Sequence, residues 1–176
     1  MTYVIAEIGV NHNNNLNISK KIIDFCVKEN VNAVKFQTFE AETLALKSTP
    51  KVKYQLRSKN DTESHYEMLK KLELSKADHR YLLSYCKKKR IDFISTPYNK
   101  KAAEMLHKLG CNVFKTSSAD ITDLEMHEFL AKTNKKVSLW GCGAKTITLL
   151  AAIPVDILNK LEFIYDSDIN KHFKYI

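Results

Sequence analysis

The chain has 176 residues, 44% hydrophobic and 27% charged, with a formal net charge of +8. That is enough apolar sequence for the core of one domain, but short of the roughly 250 residues a complete eight-stranded β/α barrel usually takes. Dispersed lysines without a zinc-finger or RRM-type aromatic motif argue against nucleic-acid binding, and no apolar run reaches bilayer-spanning length. The basic balance suits an anionic substrate, although a lysine-rich solvated surface gives the same number.

Tyr3 to Ile8 reads as a first strand and Asn11 to Asn15 as a polar turn that caps the next segment. There Ile18, Ile22, Phe25 and Cys26 recur at helical spacing. Asn32 to Phe36 is a second strand, followed by a long polar excursion from Glu40 to about Ser64, expected as a loop at the active-site face. Tyr66 to Leu72 is a short helix. Ser75 with Asp78 forms a carboxylate capping box opening a helix to about Lys89, with Leu82, Leu83 and Cys86 inward. Ile91 to Ser95 is a third strand. Asn99 caps a helix whose apolar face is Ala102, Met105, Leu106 and Leu109, and Gly110 ends it. Val113 to Thr116 is a fourth strand, Thr122 and Glu125 a second capping box, and Lys136 to Trp140 a fifth strand. Lys145 to Lys160 has helical spacing interrupted by Pro154, Glu162 to Tyr165 suggests a sixth strand, and Asp166 to Ile176 has no clear partner.

Continuous apolar strands alternating with amphipathic helices predict a parallel sheet buried on both faces. The pattern fits both an incomplete barrel and an open doubly wound sheet. No G-x-G-x-x-G follows the first strand, so nothing supports dinucleotide binding.

The chemistry-bearing residues gather at strand ends. Glu7, near the end of an apolar strand, is either a hydrogen-bond acceptor for a sugar hydroxyl or the ion-pair partner of Lys35 or Lys115. Asn11 and His12 follow it as candidate substrate contacts. Lys35 and Lys115 lie in apolar strands, where lysine seldom fills a core. Converging, they would seat phosphate and carboxylate groups, and Schiff-base chemistry is the competing use. Thr96, Ser117 and Ser118 offer hydroxyls that bind phosphate or cap the next helix. Asp120 is a base, a water-orienting group or part of a turn. His65, His79, His107, His127 and His172 read as surface residues, with no metal-ligand spacing among the histidines. Cys26, Cys86, Cys111 and Cys142 form no C-x-x-C pair, which together with the absence of a visible secretory signal leads to a cytoplasmic expectation.

Five segments, AEIGVNHNNNLNISKKIID, NAVKFQTFEAETL, HYEMLKKLELS, ISTPYNKKAAEMLHKLG and FKTSSADITDLEMHEFLAKTNKKV, run in order from Val4 to Val137. Together they resemble the N-terminal barrel of the sialic acid synthases and their legionaminic and pseudaminic relatives. The resemblance implies an α/β chain, a (β/α) TIM-type barrel truncated to about five or six units, as one incomplete domain over residues 1–176. It implies condensation of phosphoenolpyruvate with an N-acyl hexosamine in the synthesis of surface nonulosonic acids. Glu7 matches the family's sugar-contacting glutamate. Lys35, Thr96, Lys115 and Ser118 match groups that hold phosphoenolpyruvate. Asp120 falls where many members carry a glutamate near the reacting carbons, which makes Glu7 and Asp120 the catalytic candidates. The family uses a divalent metal, usually manganese, or magnesium. On this reading the strands with its two histidine ligands, and the small antifreeze-like domain, are absent, so no metal ligand is assigned. A homo-oligomer or a complementing chain is the implied partner, and a catalytically inactive remnant the alternative. One departure stands out: Trp140 occupies the place of a family serine that contacts the phosphate.

Overall fold

A computed structural model describes residues 2–56, 62–133, 137–140, 150–151 and 155–165. Two compact units are present, Met1–Lys115 and Thr116–Ile176.

In the first unit, strands β1 (Ile5–Gly9), β2 (Ala33–Thr38), β3 (Asp92–Pro97) and β4 (Val113–Phe114) form one sheet in that order, every pair parallel. Helices α1 (Leu16–Lys28), α2 (Ala41–Leu44), α3 (His65–Leu72), α4 (Lys76–Lys89) and α5 (Lys100–Lys108) fill the connections. The predicted α/β alternation and parallel sheet are therefore present. Successive strand residues face opposite sides. One side brings Ile8, Val34, Phe36 and Phe93 into a core with Ile23 and Cys26 of α1, Leu82 and Cys86 of α4, and Leu106. The other side carries Glu7, Lys35, Gln37 and Thr96 together with buried Ala33 and Ile94.

Local chemistry sets the helix starts. Asn15 Oδ1 accepts from the amides of Asn17 and Ile18 at 2.9 and 3.2 Å. Ser75 and Asp78 close the expected capping box at α4, and Asn99 Oδ1 accepts the Ala102 amide at 2.8 Å. A further box, Ser64 with Glu67, opens α3. Such caps satisfy amides that the first helical turn leaves without partners. Gly110 takes φ +89° after α5, a backbone angle that side chains resist. The excursion after β2 is partly ordered: α2, a 3-10 turn at Lys53–Gln55, and an ion pair between buried Lys51 and Glu63.

Three expectations are corrected. Phe25 is 63% exposed, because the buried stripe of α1 runs through Ser19, Ile23 and Cys26 and turns Phe25 outward. His79 is not a surface residue but 1% exposed, under α4. The second capping box gives way to Asp123, whose Oδ1 accepts the Met126 amide at 3.0 Å. Thr122 belongs to a 3-10 turn, Ser118–Thr122, so α6 (Leu124–Lys132) starts one residue later.

The second unit also contains β5 (Val137–Trp140), α7 (Val155–Leu158) and β6 (Leu161–Tyr165). Strands β5 and β6 pair in parallel, with Trp140 opposite Tyr165. The stretch after Trp140, Pro154 and the segment from Asp166 lie outside the described residues.

Candidate functional site

Register builds the site. Glu7 lies opposite Lys35 in the β1–β2 ladder, and Gln37 opposite Thr96 in the β2–β3 ladder. The Glu7 carboxylate is ion-paired to Lys35 Nζ, and the same ammonium donates to Thr96 Oγ1 at 3.2 Å. The Lys35 side chain is 11% exposed and that of Glu7 51%. A cation is thus fixed in the sheet wall, with its carboxylate partner reaching out to solvent. Burying a lysine is costly unless its donors are used, and Lys35 uses at least two.

Gly9 ends β1 at φ +55°, where the register slips against Phe36. A Cβ at this position would come 3.2 Å from Glu7 Oε1 and 3.7 Å from Gln37 Nε2. The glycine therefore serves both the left-handed backbone and the space that Glu7 and Gln37 share. Gln37 carried no role in the sequence reading, although period-two alternation from Lys35 puts it on the same face.

Asn11 and His12 serve the loop. Asn11 Nδ2 donates to the Ile8 carbonyl at 2.9 Å, closing the end of β1. His12, a candidate substrate contact by sequence, is 1% exposed, with its ring 5.9 Å from that of Phe36. Its Nδ1 accepts the Asn14 amide at 2.9 Å, and burial holds its pKa below the usual value, with His79 adding to the effect.

Behind the site lies a polar relay in the core. His79 Nδ1 donates to the Ser75 carbonyl at 2.9 Å, which assigns the ring proton to Nδ1. Nε2 then accepts from Thr38 Oγ1 at 2.7 Å, and Thr38 accepts from Ser95 Oγ at 2.7 Å. Burial lowers the His79 pKa and keeps the ring neutral, as this direction requires. The relay ties α4 to the ends of β2 and β3, whose other faces carry Lys35 and Thr96. Its sequence signal is the hydroxyl pair at Thr38 and Ser95 on otherwise apolar strands.

Lys115 is exposed and follows β4. Its amide donates to the Ser95 carbonyl at 3.4 Å, so the chain continues alongside β3 toward the level of Thr96. Ser118 and Asp120 belong to the second unit. Ser118 is exposed at the start of the 3-10 turn. Asp120 is half-buried, and its carbonyl accepts from His127 Nε2 at 3.0 Å. A cleft of about 630 Å³ beside Thr38 is a different feature of the first unit. Lys70 and Lys101 in its lining are already ion-paired, to Glu42 and Glu73 and to Glu40.

A divalent cation does not fit what is described. Among the described residues no three His, Cys, Asp or Glu side chains converge. His12 Nδ1 and both nitrogens of His79 are occupied by hydrogen bonds. Among the same residues no helix is long and apolar enough to cross a membrane.

Residues 22–160 match the model of the NeuB family. The chain belongs to the NeuB family. This member is 40% identical over 138 residues to an N,N'-diacetyllegionaminic acid synthase of Campylobacter jejuni, a match covering 78% of this chain and 41% of that protein. It is 31% identical over 135 residues to the human N-acetylneuraminate-9-phosphate synthase, covering 76% of this chain and 36% of the relative. It therefore spans well under half the length of these relatives. An N-acetylneuraminic acid synthetase from Leptospira borgpetersenii, solved with citrate, superposes with a TM-score of 0.73 at 24% identity, over 94% of this chain and 53% of that one. That likeness speaks for the fold.

Proposed function

We propose that this NeuB-family chain carries part of a nonulosonic acid synthase site, which joins phosphoenolpyruvate to an N-acyl hexosamine. The observation that carries the reading is Lys35, a wall-mounted cation tied to Thr96 and paired with the half-exposed carboxylate of Glu7. In this account C3 of phosphoenolpyruvate bonds to the aldehyde carbon of the open-chain sugar, and the aldehyde oxygen takes a proton. Water adds at C2, and the C2–O bond breaks to release phosphate and leave the 2-keto acid.

Lys35 and Thr96 hold an anionic oxygen of phosphoenolpyruvate, joined by Lys115. Charge-assisted bonds of this kind are about twice as strong as neutral ones and fix the reacting carbon in place. Glu7 accepts a sugar hydroxyl. Asn11 and His12 shape the loop after β1. The family's metal would polarise the aldehyde. The described residues do not fit it, so no step here runs through it. We propose also that the parallel units continue into a (β/α) TIM-type barrel, five or six units falling within this sequence.

The test is phosphate release from phosphoenolpyruvate with N-acetylmannosamine and manganese, on the chain alone and with a lysate that is itself inactive. Release that needs both substrates and is lost in Lys35→Met supports the reading. Release without the sugar, or none in either arm, contradicts it.

A further inference from the structure

The Glu7–Lys35 ion pair does more than neutralise two charges. It occupies the seat that an anionic substrate needs. Lys35 is almost enclosed and anchored to Thr96, so it is the fixed partner, while Glu7 is half in solvent and can leave. Two anions cannot both hold one ammonium at short range without repelling each other. The space beside Glu7 is also left open. Gly9 presents no side chain where a Cβ would crowd Glu7 Oε1, and the Gln37 amide borders the same space as a ready donor.

We infer that Glu7 is an internal placeholder for the anionic substrate: phosphoenolpyruvate displaces it from Lys35, and the freed carboxylate then accepts a hydroxyl of the polyol partner. The inference rests on the anion seat proposed above. It makes binding ordered, anion first. Because coupling between two ligands is reciprocal, each strengthens the other. It also explains why a negative residue lines an anion site at all. In the empty chain Glu7 keeps Lys35 from other anions, and in the loaded chain it serves the second substrate.

Calorimetric titration with phosphoenolpyruvate tests this on the parent chain, Glu7→Gln and Lys35→Met. Removing the placeholder charge should tighten phosphoenolpyruvate binding about two- to fivefold, the range set by a partly exposed ion pair. Lys35→Met should abolish it. Glu7→Gln binding that is unchanged or weaker, while Lys35→Met still abolishes it, overturns the placeholder and leaves the anion seat standing. No measurable binding by the parent, or parental binding in Lys35→Met, overturns both. A second readout needs no variant: the Glu7 carboxyl carbon should shift in the NMR spectrum of the parent when phosphoenolpyruvate is added. A stationary signal under saturating ligand also overturns the inference.

Discussion

Protonation of His79 should set the acid sensitivity of this chain in a window of its own. The ring is 1% exposed, and burial is the main force lowering its pKa from 6.5. Thr38 can turn its hydroxyl to accept from a protonated Nε2, so the cost of charging the ring is desolvation rather than a lost hydrogen bond. The unfolded chain then binds a proton more readily than the folded one. Stability should be full above 6.5 and fall as the pH drops from there through the folded value. One proton limits the slope to about 1.4 kcal/mol per pH unit, and His12, shifted the same way, adds to it. The carboxylates held low, Asp24 by Lys89, Glu42 by Lys70 and Glu63 by Lys51, act below their ordinary values of 3.8 to 4.5 and leave this window clear. Urea unfolding at half-unit steps from pH 7.5 to 5 measures the slope for the parent and for His79→Gln. The variant starts less stable but should lose up to about 1.4 kcal/mol less per pH unit below 6.5. Equal slopes, or a parent that gains stability on acidification, would refute the reasoning.

Three further outcomes are expected. Asp123→Ala should cost about 1 kcal/mol in denaturant unfolding as the cap of α6 is lost, while Thr122→Ala stays within about 0.5 kcal/mol. The reverse order would restore the capping box read from sequence. Gly9→Ala should cost about 1–2 kcal/mol in denaturant unfolding for its left-handed backbone; parental stability would remove that constraint from the end of β1. Lys115→Ala should raise the Kd for phosphoenolpyruvate, and binding as tight as the parent's would take Lys115 out of the anion seat.

The four strands and the longer helices of the first unit are legible where signals agree, whereas α2 lies in the excursion read as a loop. Apolar periodicity marks the body of α4, and Ser75 with Asp78 marks its start. Where only one signal was available, errors followed. Thr122 and Asp123 are both good caps one residue apart, and sequence alone cannot see that the 3-10 turn consumes Thr122. His79 was misread because an imidazole on a helix looks the same whether it faces water or a pair of strand hydroxyls. The partners that decide the matter, Thr38 and Ser95, are distant in sequence and meet only through strand register. The same register made Glu7 and Lys35 neighbours, one of the two partnerships the sequence left open. His12 shows the opposite limit: its place in a conspicuous motif says nothing about whether its ring reaches a substrate or the core.

The most direct test is a crystal structure of the chain with phosphoenolpyruvate. A phosphate or carboxylate oxygen should lie about 2.7–2.9 Å from Lys35 Nζ, with Thr96 retained beside it and Glu7 swung away from the ammonium. Phosphoenolpyruvate bound elsewhere, with the Glu7–Lys35 pair still closed, would contradict it.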